Sequence, residues 1–497
     1  MKRAVMMINV LLLSLCCHAQ GWQAEWNISG NLLAGTGEYL PFWQRTVEGG
    51  IMPYSSSGVV MAGGDLSYQG RRGWTFSAGT NLVGSLASRS PYNQTSVYGM
   101  VDRLYASASW KMLHIDAGLK PRLRELGDLS LTGGSIVHSG YSRNLPGVNA
   151  WSDWIYFEKG HWVGIRGNLA HYQMLDARYV SNAYIHNKSL AIKFALGRKV
   201  DLEFCLDHWA QWGGASEALG ERPASFKDYY RIFFAKQGGE DATLSDQQNA
   251  LGNHLGREYI RLNWRSSAFD MTLQYDMPFE DGGQIIKTQN IPDGVYSLKF
   301  SFKDRDALVT DVLYEYVHTT WQSGDTHDRP ATEEEMTRDY DKYVYWQDPE
   351  HHYYGRIVEG GLDNYFNNSE YRSGWTYHGR TIGLPLLLPA APNAEGVTMG
   401  IVNNRVRAHH FGVKGMFDTV PYRFRATYSS NWGRYSKSPA FESRPEQLSL
   451  ALEVELGEQV TDMPIAVAVG AYADFGKLYK NSAGLTLRMF WRGSHSW

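Results

Sequence analysis

His186 to Gly214 reads HNKSLAIKFALGRKVDLEFCLDHWAQWGG. Leu190, Ile192, Phe194 and Leu196 alternate with Ser189, Ala191, Lys193 and Ala195. Beyond the Gly197-Arg198-Lys199-Val200 turn, Leu202, Phe204 and Leu206 alternate with Asp201, Glu203, Cys205 and Asp207. Period two on both sides of a short glycine-containing turn predicts a β-hairpin. One face is apolar throughout and the other carries Lys, Glu and Asp. That pattern suits either a soluble sheet over a core or a strand pair between lipid and a wet lumen.

The same pattern recurs along the chain. Hairpins are expected at 58–84, 104–119, 155–169, 260–275, 298–316, 411–428 and 448–469, with single strands opening at Trp22 and closing at Trp491. Together they make about 18 antiparallel strands, an even number that returns both termini to one side. The connections alternate between short turns and long segments, at 85–100, 120–150, 209–256, 277–295, 318–405 and 430–445. Tilted strands of roughly 9 to 11 residues with that alternation predict an all-β transmembrane outer-membrane β-barrel with long extracellular loops. Residues 33–57, around Pro41-Phe42-Trp43, are expected to form a small plug. A propeller would show self-similarity every roughly 40 to 50 residues, and none is seen.

Composition agrees. Lys2 and Arg3 precede an apolar run from Ala4 to Leu15, followed by Cys17-His18-Ala19, so residues 1–19 read as a signal peptide on an exported chain and 20–497 as the barrel. Cys205 is the one cysteine left after the signal, which excludes an internal disulfide. With 48 Lys and Arg against 51 Asp and Glu, nothing marks a nucleic-acid partner. Aromatic residues make up 13% of the chain and there are 51 Gly, a usage that fits aromatic girdles at two membrane interfaces.

No nucleophile elbow or phosphate loop is present, and Ser139 beside His138, or Asp207 beside His208, would face opposite sides of a strand. The chain therefore reads as a non-enzyme. The pairs His351-His352 and His409-His410 lack metal-ligand spacing, and neither a metal nor another cofactor is expected. Aromatic and amide residues crowd the long segments: Trp209, Trp212, Trp346, Tyr353, Tyr354, Asn364, Tyr365, Trp375 and Tyr377, with Arg405 at the end. Flat rings stack on the C–H faces of sugars while amide and guanidinium groups meet hydroxyls, so these ten residues are the candidate polysaccharide-binding set. The competing expectation is that they pack the loops together.

Several motifs carry a resemblance: Leu40-Pro41-Phe42-Trp43, Ser135-Ile136-Val137-His138-Ser139-Gly140-Tyr141-Ser142-Arg143-Asn144-Leu145-Pro146, Asp207-His208-Trp209-Ala210-Gln211-Trp212-Gly213-Gly214, Asn249-Ala250-Leu251-Gly252-Asn253-His254, Asn364-Tyr365-Phe366-Asn367-Asn368 and Asn431-Trp432-Gly433. Their order and spread resemble the Wzi family of outer-membrane capsule assembly proteins, in the form common among Bacteroidetes-like bacteria. The resemblance implies an 18-stranded barrel with a plugged interior. It also implies a lectin-like role in binding or anchoring capsular or exopolysaccharide at the cell surface. Partners would be that polymer, outer-membrane lipid and other capsule export components. The alternative is a channel or transporter for oligosaccharides or lipids.

Overall fold

The computed structural model describes residues 21–46, 49–88, 97–157, 161–280, 290–324, 329–330, 334, 344–347, 354–358, 363–434, 441, 443–457 and 465–497. The signal reading for residues 1–19, His351, His352 and Tyr353 all lie outside them. No described helix is long and apolar enough to cross a membrane.

Eighteen antiparallel strands close into a barrel. They are β1 (Trp22–Gly35), β2 (Ser57–Gln69), β3 (Trp74–Ala87), β4 (Val97–Trp110), β5 (Leu113–Leu119), β6 (Pro146–Ser152, continued by Ile155–Tyr156), β7 (Val163–Gln173), β8 (Tyr184–Ala195) and β9 (Val200–Trp212). The second half comprises β10 (Asn253–Arg265), β11 (Phe269–Phe279), β12 (Gly294–Phe302), β13 (Asp311–His318), β14 (Arg405–Phe417), β15 (Val420–Gly433), β16 (Glu446–Leu456), β17 (Ala466–Gly476) and β18 (Ser482–Ser496). β18 pairs with β1, Ile28 opposite Trp491, so the sheet keeps no open edge. The hairpin that opened the sequence reading is β8–β9, with Phe204 opposite Ile192. Gly197 takes φ +99° in its turn, where a β-carbon would be strained. Several boundaries differ from expectation: β1 runs to Gly35, β9 to Trp212 and β10 from Asn253, so strand replaces the start of the expected 33–57 segment and both ends of the expected 209–256 connection. β6 starts at Pro146, so the connection before it ends at 145 and not near 150, and the strand is broken at Asp153-Trp154.

Alternation sorts the side chains. Ile28, Leu32, Val60, Leu82, Leu104, Leu190, Phe204, Ile260, Leu273, Leu452 and Leu487 stand exposed on the outer wall. Rings gather at both ends of that belt. Near the short turns, Trp74 meets Phe76 at 5.8 Å and Trp110 at 6.3 Å, and Phe269 meets Trp264 at 5.5 Å. Near the long connections, Tyr275, Tyr296, Tyr316, His409 and Tyr428 stand opposite one another across five consecutive strands. Two aromatic bands around an apolar belt are the signature of a barrel seated in a membrane. The adjacent histidines divide accordingly: His409 joins the outer band, while His410 points inward and bonds Leu129 O at 2.7 Å.

The start of β1, the end of β18 and the short turns share one end, the periplasmic side in outer-membrane barrels, and connections 36–56, 120–145, 213–252 and 319–404 leave the other. Three of these send chain into the lumen. The buried apolar residues of 40–52, 126–145 and 365–401 form two clusters with inward residues of the wall, one involving β7–β10, β12–β14, β16 and β17, the other β1–β3. The lumen is filled at that level.

Candidate functional site

The plug is held by backbone amides, and the wall supplies the acceptors. After β1 the chain turns inward through Leu40-Pro41 into the short helix α1 (Phe42–Thr46). Asp474 on β17 accepts the Phe42 N–H at 2.9 Å. Glu315 on β13 accepts the Leu131 N–H at 2.6 Å and the Ser130 hydroxyl at 2.7 Å, and Asp276 on β11 accepts the Ile136 N–H at 2.7 Å. A carboxylate accepting from a buried amide makes a charge-assisted bond, stronger than a neutral one. Trp43, fully buried, donates its indole N–H to Thr427 at 3.1 Å and lies under the Arg425 guanidinium at 4.2 Å.

The third plug segment binds the second through two main-chain bonds, Leu384 N to Ile136 O at 2.9 Å and Ser139 N to Ile382 O at 3.0 Å, and through the Trp375 indole, which donates to Val137 O at 2.6 Å. Arg380 reaches the first segment, donating to Arg45 O at 3.0 Å and to Met52 O. The three segments are therefore one body. Outside the lumen, Arg222 bonds both Asp246 and Glu370, tying connection 213–252 to connection 319–404. Burial, reinforced by the Glu370 charge, pushes the Asp246 carboxyl up to about 6. A raised acid pKa means that the neutral form is favoured in the folded clasp. The clasp is thus tightest below the ordinary carboxylate value and loosens as pH rises through about 6. Amide exchange at residues 249–252, corrected for intrinsic rate, should accelerate over that window and lose the dependence in Asp246→Asn; a pH-independent wild type refutes it.

Beneath the plug, inward charges form ladders. Lys193 meets Glu203 at 3.2 Å, Arg257 sits between Asp207 and Asp276 at 3.3 and 3.2 Å, and Arg423 bridges Glu453 and Asp128 at 2.7 Å each. Burial works to raise the Glu125 carboxyl, yet the Arg261, Arg166 and Arg257 charges outweigh it and hold it well below the usual range. The plug thus enters the ladder as an anion.

A cavity of about 470 Å³ lies between the 120–140 segment and strands β5–β10. Its aromatic lining includes Trp151, whose indole donates to Asp116 at 2.7 Å, and Trp154, with the Arg166 guanidinium and Lys193 ammonium over its ring at 4.8 and 4.1 Å. Asn149 and Asn168 add amides, and Leu123 projects into the space with 86% of its surface exposed. Ring faces beside amides, carboxylates and guanidinium groups can hold a hydroxyl-rich ligand.

The structure distributes the sequence-derived binding set widely. Trp209 is fully buried on the lumenal side of β9, stacked on His138 at 5.3 Å with Trp375 edge-on at 5.6 Å. Tyr365, Trp375 and Tyr377 are buried in the plug, and Asn364 accepts from Asn367 and Asn404 at 2.9 and 2.7 Å. Trp212 is buried on the outer wall, and Arg405 starts β14. Trp209, Trp212, Tyr365, Trp375 and Tyr377 are thus buried against neighbouring side chains. Trp346 and Tyr354 lie on a separate small three-stranded sheet. Of the adjacent pairs weighed for catalysis, Asp207 turns inward to Arg257 while His208 turns outward to His254 at 2.9 Å. His138 stacks on Trp209, and the Ser139 hydroxyl faces Ile382 O at 3.4 Å.

Sequence reasoning missed the latch carboxylates. A signal for them was available: Asp276 faces Tyr259 and Val295, Glu315 faces Ser297 and His410, and Asp474 faces Ser449 and Ser482, so each inward acid lacks a Lys or Arg directly opposite. An inward carboxylate with no cation directly opposite keeps acceptor capacity for donors from elsewhere, even at Asp276, where Arg257 reaches it diagonally at 3.2 Å.

No family model and no curated protein matches the chain. Among solved structures it is similar to Wzi of Escherichia coli, described as an outer-membrane protein involved in group 1 capsule assembly and as a carbohydrate-binding β-barrel. Identity is 13%, the TM-score 0.53, and the match covers 98% of this chain and 86% of that one. It is also similar to OccAB4 of Acinetobacter baumannii (9% identity, TM-score 0.46, 96% and 99% covered). OprD of Pseudomonas aeruginosa matches at 9% identity and TM-score 0.45, with 96% and 97% covered. The likeness to Wzi is one of fold.

Proposed function

We propose that this outer-membrane barrel binds or anchors capsular or exopolysaccharide at the cell surface through its long extracellular connections. The observation that carries the reading is the filled lumen: three latched segments block the passage that a steady channel requires. Wzi, which shares the fold, is described as carbohydrate-binding. The polymer contacts are assigned to the loop aromatics Trp346 and Tyr354, whose strands belong to the separate small sheet, together with Tyr353. One stacked ring contributes about 1 kcal/mol, so losing two should weaken retention roughly thirtyfold. Cells carrying Trp346→Ala with Tyr354→Ala should shed polymer into the medium while the barrel keeps its heat-dependent gel mobility. Polymer that stays attached moves the site elsewhere.

The rival reading, a channel or transporter for oligosaccharides or lipids, draws on the cavity beneath the plug. Planar-bilayer recording separates the two. The wild-type barrel should be silent, and steady conductance would favour the rival.

A further inference from the structure

Connection 213–252 does not simply rise from the barrel. It carries a helix, α2 (Phe226–Phe233), back over the outer wall. The helix starts with a capping box between Ser225 and Asp228. The outward parity that exposes Leu190 and Phe204 to lipid continues upward on the same strands to Lys188 and His186 on β8 and to His208 and Trp212 on β9. His171 on β7 and His254 on β10 stand beside them. Four histidines and a lysine on a lipid-facing wall need cover, because polar groups without partners are costly there. The helix provides it. Ile232 is fully buried against Ala210, Trp212 and Leu251. Tyr229 packs on His186 at 5.4 Å and Trp212 at 5.6 Å, and the Phe233 ring lies 5.3 Å from His186 and 4.1 Å from the Lys188 ammonium.

Among the described residues, the opposite face of α2 has no comparable cover. Phe226, Tyr230 and Phe234 recur every fourth residue and are 87%, 49% and 54% exposed. Lys227 is exposed beside them, and the Lys236 ammonium sits over the Tyr230 ring at 5.0 Å.

We propose that this face is a lateral lipid-docking surface, with the three aromatic side chains seated at the headgroup boundary of the outer leaflet and Lys227 and Lys236 on lipid phosphates. Continuity with the belt identifies the occupant. Phe233 caps Lys188, which stands one same-face step above the lipid-facing Leu190, so α2 lies directly over the membrane-contacting wall. An aromatic row flanked by lysines is the chemistry of an interfacial helix, the rings filling the acyl boundary and the cations meeting phosphate. The surface would hold the loop platform at a fixed height above the bilayer.

Spin labelling tests it in the intact barrel. In a Cys205→Ser background, nitroxides are placed at positions 226, 230 and 234, with position 190 as the belt reference and 197 as the turn reference. The protein is reconstituted in vesicles containing phosphatidylglycerol. Collision with oxygen should exceed collision with a water-soluble nickel chelate at all three positions, as at 190. A ratio matching position 197 overturns the proposal, and so does protection from both reagents, which would mean a protein cover. In a second arm, Lys227→Glu with Lys236→Glu, or vesicles of phosphatidylcholine, should raise nickel access at 230 severalfold. No change in that arm removes the phosphate contact.

Discussion

Removing the three latch acceptors together, as Asp276→Ala, Glu315→Ala and Asp474→Ala, is expected to turn a silent barrel into a conducting one. Each change leaves a buried plug N–H without its acceptor, at Ile136, Leu131 and Phe42 respectively. A buried unsatisfied donor costs about 1–3 kcal/mol, so the triple variant loses roughly 3–9 kcal/mol if the sites are independent. The apolar burial around Trp43, Leu131 and Trp375 is larger in gross terms, but it is offset by the entropy of ordering three long segments. The net stability of such a unit is on the order of 5–15 kcal/mol, and the loss is comparable. The backbone strand pairing is untouched and Arg257 keeps Asp207, so assembly and gel mobility should match the wild type. Single-channel recording is the readout; three substitutions with no conductance would show that apolar packing alone seats the plug.

What the sequence revealed and what it hid have one cause. Alternation at Leu190, Ile192 and Phe194 reports which face a residue takes, because period two is local, and β8–β9 follows directly from it. The barrel could be read from such stretches. It does not report what a buried face meets. Trp209 and Trp375 carry the ring chemistry of a sugar site, and their 5.6 Å contact joins residues far apart in the chain, so only the fold shows that they pack each other. The helix over His186 and His208 escaped for a related reason: the sequence marks their parity as outward, and nothing local says that a loop returns to cover it. The lumenal charges were more legible, since Lys193 and Glu203 are cross-strand neighbours in one hairpin.

Trp43→Ala is expected to be the most destabilising single substitution in the plug. Trp43 has no exposed surface, touches Phe42 at 5.2 Å and His410 at 5.2 Å, and bonds Thr427. Truncating a buried Trp to Ala costs about 3–5 kcal/mol, the transfer of the ring plus the cavity left behind. A second loss adds to it. Arg425 is fully buried, with the indole on one side and Glu453 at 2.8 Å, and removing the ring leaves its guanidinium facing a void. Trp43→Phe keeps most of the packing and loses the Thr427 bond, an effect of about 1 kcal/mol. Urea titration of the reconstituted barrel, followed by aromatic circular dichroism, reads both. The plug is seated by apolar clusters it shares with the wall, whereas the strands are also held by backbone ladders, so an early transition should shift for Trp43→Ala while the late one stays fixed. A shift of both transitions together would mean that plug and wall unfold as one cooperative unit, and a loss under about 1 kcal/mol would mean that the Trp43 pocket collapses around the gap.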